Sequence, residues 1–127
     1  YNVKTGKGGL VDIEFLVQYF LLRYGPSDRE IRIPNTCLVL EKLGARGILE
    51  EEDCKALLDA WKFLRKVETG LRIVHDQSVS KLDSNAKDFG VLARRLGYDV
   101  PALLNEYLTR TSAVRKIYNR YLGVSQT

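Results

Sequence analysis

From Glu50 to Asp76 the chain runs without a proline, and its apolar residues return at three- and four-residue intervals. Leu57, Ala60, Trp61, Leu64, Val67, Leu71 and Val74 fall on one stripe of a helix that turns about 100° per residue. The run opens on Glu50-Glu51-Glu52-Asp53, acids that complement the positive end of the helix dipole. A helix with so long an apolar stripe needs partners along its length, so the rest of the chain has to supply them.

The remaining segments read the same way. A first helix is expected from about Gly9 to Tyr24, ended by Gly25-Pro26, and residues 25 to 34 form a polar loop closed by Pro34. Asn35 or Thr36 caps a second helix carrying Leu38, Val39, Leu40 and Leu43, which stops at Gly44 or Gly47. After a polar connection, Asp83 or Ser84 caps a fourth helix ending at Gly97. Pro101 stands in the first turn of a fifth, which reaches about Leu122 with Leu104, Leu108, Ile117, Tyr118, Tyr121 and Leu122 as its apolar residues. No stretch alternates with the period of a strand. The expected fold is all-α, an antiparallel helical bundle of four to five helices. The expected division is a glycine-rich turn over 1–9, a helical bundle over 10–123 and a frayed tail over 124–127.

Composition narrows the function classes. The chain has 127 residues and a net charge of +4, with basic and acidic residues interleaved. That pattern admits an anionic partner but gives no nucleic-acid arm. The apolar run Leu10 to Leu22 is broken by Asp12, Glu14 and Gln18 and is too short to span a bilayer, so no membrane partner is expected. Cys37 and Cys54, with one histidine, cannot make a standard zinc site and read as reduced thiols of a cytoplasmic protein. His75 alone is a weak catalytic candidate. The chain opens on Tyr1 and contains no methionine, which suggests a piece of a longer polypeptide.

Two polar features stand out. On the first helix, Glu14 falls near Val17, Gln18 and Leu21, whereas Asp12 falls with Tyr19 and Arg23 on the side expected to be wetter. On the third helix, Glu68 lies on the apolar stripe with Arg65 and Arg72 at spacings that let side chains meet. These residues suggest a polar seam of Glu14, Gln18, Arg65, Glu68 and Arg72 between the two helices, either a structural ion-pair network or the wall of a cleft.

The second feature is Lys4-Thr5-Gly6-Lys7-Gly8-Gly9, which runs straight into the first helix. It lacks the spacing of a P-loop and has no βαβ unit around it. Either it is a tight structural turn, or Lys4 and Lys7 face phosphate oxygens while the Gly8 and Gly9 amides donate to them.

The same residues carry a family resemblance. Val3-Lys4-x-Gly6-x-Gly8-Gly9-Leu10-x-Asp12-Ile13-Glu14-Phe15-Leu16-Val17-Gln18 resembles the segment that follows the nucleotidyltransferase core in bacterial glutamine synthetase adenylyltransferase/adenylyl-removing enzymes. Leu64-Arg65-Lys66-Val67-Glu68-x-x-Leu71-Arg72, Asp76-Gln77 and Leu92-Ala93-Arg94-Arg95-Leu96-Gly97-Tyr98 extend it in order over nearly the whole chain. The Asp12 form, with Gln18-Tyr19 and Leu22-Arg23-Tyr24, is more similar to the C-terminal, adenylylating half.

The resemblance implies an enzyme that transfers AMP from ATP to a tyrosine of glutamine synthetase, with the PII signalling protein as partner and magnesium held by a Gly-Ser…Asp-x-Asp motif. That motif is absent from this chain. The resemblance therefore implies an accessory helical domain, inactive alone, with Lys4, Lys7, Gly8 and Gly9 nearest the phosphates and Asp12 and Glu14 in the cleft wall. A non-catalytic interaction module, or the corresponding domain of a PII uridylyltransferase, is the alternative.

Overall fold

A computed structural model describes residues 2–75 and 87–123. Asp76-Gln77, the expected caps Asp83 and Ser84, the side chain of His75 and the tail 124–127 lie outside the described residues. The described residues form an all-α bundle of five α-helices: α1 (Leu10–Tyr24), α2 (Thr36–Ala45), α3 (Glu51–His75), α4 (Lys87–Arg95) and α5 (Val100–Leu122). There is no β-strand among the described residues.

The boundaries follow local chemistry. Asn35 caps α2 by accepting from the Leu38 amide at 3.1 Å. Asp99 caps α5 by accepting from the Ala102 amide at 2.8 Å, two residues before Pro101 in the first turn. In the expected loop after α1, Asp28 caps a short 3-10 turn, Arg29–Ile31, that periodicity did not reveal. Arg46, just past α2, pairs with Asp28 and, at 2.6 Å, with Glu30, closing that loop on the helix.

The long helix α3 is the axis of the bundle and packs against each of the other four. Leu57, Ala60, Leu64, Val67 and Leu71 are buried along it, with Trp61 and Val74 half-buried beside them. Each fully buried leucine contributes about 1.5–3 kcal/mol relative to exposure. On α5 the buried stripe is Leu103, Tyr107, Thr111, Val114 and Ile117. Leu108, expected inside, is 40% exposed, because burial follows the four- and three-residue steps from Leu103 rather than apolar character.

Both cysteines are free thiols. Cys54 is buried where α3 crosses α2, and its thiol donates to the Leu40 carbonyl at 3.2 Å. Burial pushes its pKa up, with the Glu41 carboxylate adding to the shift. A raised pKa means less of the reactive thiolate. A disulfide reagent at about pH 8 should therefore titrate Cys37 rapidly and Cys54 only after denaturation; two rapid equivalents would contradict this placement.

Candidate functional site at the glycine turn

The segment before α1 folds back on the helix start. The Asn2 side chain accepts from the Lys4 and Thr5 amides, each at 3.0 Å. The Gly9 amide donates to the Gly6 carbonyl at 2.9 Å, Leu10 to Val3 at 3.0 Å and Val11 to Lys4 at 2.9 Å. Three donors of the helix start, the Gly9, Leu10 and Val11 amides, are thus met by the chain's own carbonyls.

Gly8 has φ of 76°, in the left-handed region, and sits so close to α5 that an added Cβ would lie 1.9 Å from the Thr111 carbonyl oxygen. Its amide donates to Asp12 Oδ2 at 2.6 Å. The Gly8 and Gly9 amides, expected nearest the phosphates, are engaged within the protein. An acid three residues past the Gly9 cap, reaching back to an amide before the helix, is a capping-box relative. That spacing was the signal that could have shown it.

Asp12 and Glu14 exchange the expected environments. Asp12 is 9% exposed and also accepts from Arg115 on α5 at 2.9 Å, with that guanidinium 4.4 Å from the centre of the Tyr118 ring. Glu14 is exposed and pairs with no described residue. Both acids flank the stripe of Ile13, Leu16, Val17 and Phe20, but α5 covers only the Asp12 flank.

The polar seam is smaller than expected and differently composed. Glu68 is buried, 3% exposed, and accepts from Arg65 at 2.7 Å. Its second oxygen lies 3.6 Å from Lys4 Nζ, an ion pair beyond hydrogen-bond reach, and has no hydrogen-bond partner. Gln18, Glu14 and Arg72 stay exposed, outside the pair. Lys4 is thereby partly neutralised, and Lys7 is the exposed cation of the turn that pairs with no described residue.

Asp53 is a polar anchor that sequence reasoning missed. It is 6% exposed and accepts from Arg120 at 2.6 Å and from the Tyr121 hydroxyl at 3.0 Å, tying the start of α3 to the end of α5. Burial and the Asp53 hydrogen bond both raise the Tyr121 pKa. Within an acidic run it read only as a dipole complement.

These carboxylates do not fit a metal site. Among the described residues no three of His, Cys, Asp and Glu gather where they could hold an ion, and Asp12, Asp53 and Glu68 are each committed to an arginine. No described helix is long and apolar enough to cross a membrane.

The glycine turn and Glu68 belong to a recurrent domain. A bifunctional glutamine synthetase adenylyltransferase/adenylyl-removing enzyme of Neisseria meningitidis serogroup A (strain Z2491) is 31% identical over 123 residues, covering 96% of this chain and 14% of the relative. The enzyme of that name from Ralstonia nicotianae is 36% identical over 109 residues, 86% of this chain and 11% of the relative. The one from Acinetobacter baylyi is 40% identical over 81 residues, 64% of this chain and 9% of the relative. The chain thus spans about a seventh or less of the length of these relatives. The profile of the GlnD PII-uridylyltransferase family matches residues 1–122, glycine turn to the end of α5, and the chain belongs to that family.

Proposed function

We propose that this chain is the helical domain of an adenylyltransferase that moves AMP from ATP to glutamine synthetase, regulating nitrogen assimilation. The observation that carries it is the match of nearly the whole chain to enzymes of that name. The family profile is named for PII uridylylation, so both chemistries are nucleotidyl transfer to a protein. The relatives supporting the adenylyl reading each carry it in their names.

On this reading the described residues supply no metal site, and the metal-binding aspartates, magnesium and most of the ATP contacts belong to another part of the protein. The domain borders the nucleotide cleft and helps to hold the protein substrate, with PII as regulatory partner. Lys7 is the residue at the turn that offers an uncommitted charge to a phosphate. Asp12, Gly8 and Glu68 hold the turn in place rather than contact the nucleotide.

The test uses the full-length enzyme, α-labelled ATP, magnesium and glutamine synthetase. The enzyme labels the synthetase and the isolated chain does not. Lys7→Ala raises the KM for ATP several-fold, as expected for an exposed phosphate contact. AMP transfer by the isolated chain, or no label from the full-length enzyme, overturns the reading.

A further inference from the structure

Three cavities line up along one side of α3. The middle one, about 290 Å³, lies among Asp59, Lys62, Phe63, Lys66, Tyr98 and Arg110. It shares Asp59 and Lys62 with a cavity of about 300 Å³ that reaches Gly44 and Cys54 at α2. It shares Lys66 and Leu96 with one of about 380 Å³ that reaches Ile73 and Arg95. From Cys54 to Ile73 the helical rise makes this groove about 30 Å long. Its continuity suits an elongated occupant rather than a small molecule.

Its charge is uneven. Arg110 is balanced by Glu106 at 2.6 Å and Asp59 at 3.6 Å, and Arg65 by Glu68. Lys62, Lys66 and Arg95 are exposed and pair with no described residue. The acids Glu41 and Glu51 line only the α2 end. Between the free cations lies apolar surface: Ile73 is 52% exposed and Leu96 half-buried. Uncompensated cations beside an exposed aliphatic patch match carboxylates flanking an apolar side chain. A phosphodiester backbone has no apolar group to set against Ile73 and Leu96.

We propose that the groove along α3 docks an acidic, apolar-anchored segment of the protein substrate, its carboxylates pairing with Lys62, Lys66 and Arg95 and its anchor on Ile73 and Leu96. This rests on the reading of that substrate as glutamine synthetase. The full-length enzyme carrying K62E, K66E and R95E together is assayed for AMP transfer with each substrate varied in turn. The KM for glutamine synthetase rises about tenfold at low salt, and less at high salt, while kcat and the KM for ATP stay within about twofold. The neutral K62Q/K66Q/R95Q variant shows a smaller rise in the same constant.

Ile73→Ser raises it too, without the salt dependence. An unchanged KM for glutamine synthetase overturns the proposal. So does an equal rise for ATP, which would make the groove part of the nucleotide site, or a fall in kcat with both KM values raised, which would mean that another segment of the same enzyme fills it. If the unaltered enzyme gives no label, the functional reading fails instead.

Discussion

Gly8→Ala destabilises the chain by about 3–5 kcal/mol, a large part of the total stability of a domain this size. The left-handed φ of 76° accounts for about 1–2 kcal/mol of that in any residue with a Cβ. The rest comes from contact. The added carbon would lie 1.9, 2.6 and 2.9 Å from the oxygen, carbonyl carbon and Cα of Thr111, backbone atoms of α5 that no rotamer change can move. To admit the methyl, the turn must lift from α5 and break the Gly8–Asp12 hydrogen bond with it. Gly47 is the control: its φ is 72°, but a Cβ there meets nothing within 4 Å, so Gly47→Ala shows only the backbone cost. Urea denaturation of the two variants and the parent chain, compared at constant m, measures the difference. Equal midpoints for the two variants would remove the close approach of turn and α5.

Asp12→Ala costs about 2–4 kcal/mol, while Glu14→Ala stays within about 0.5 kcal/mol. Removing the Asp12 carboxylate leaves the Gly8 amide and the Arg115 guanidinium, which is 27% exposed, without their shared acceptor. Asp12→Asn keeps an acceptor but not the charge, so it falls between parent and alanine. Arg115→Ala and the double variant complete a cycle whose coupling term isolates the pair. Thermal denaturation reads all of these. A Glu14→Ala loss as large as that of Asp12→Ala would reverse the assignment of the two acids.

Helix existence and the α3 stripe were legible because apolar residues at three- and four-residue spacing have few other solutions. Glu68 was legible for the same reason, as a charge on an otherwise apolar face with Arg65 one turn away. Asp12 and Glu14 were not. Periodicity gives the angle of each side chain about α1, but which flank is covered depends on α5, whose Arg115 is 103 residues distant in sequence. Asp53 was hidden similarly: its partners Arg120 and Tyr121 come from the far end of the chain, and local context offered the helix dipole as a sufficient reason for an acid.

The glycine turn was ambiguous for a different reason. A phosphate cradle and a tight structural turn require the same composition, and only the destination of each amide separates them. Here the Gly8 and Gly9 amides end on Asp12 and Gly6, and the proposed function therefore gives the phosphate contact to the exposed Lys7 side chain. The groove beside α3 was not legible at all. It is made by the spacing between α2, α3, α4 and α5, which no local pattern around Lys62, Lys66 or Arg95 reveals.

The most direct test of the proposed function offers the full-length enzyme α-labelled ATP and α-labelled UTP in parallel, each with glutamine synthetase and with a PII protein as acceptor. Label on glutamine synthetase from ATP, with none on the PII protein from UTP, is the expected result. UMP label on the PII protein and none on glutamine synthetase would contradict it and make this the helical domain of a uridylyltransferase.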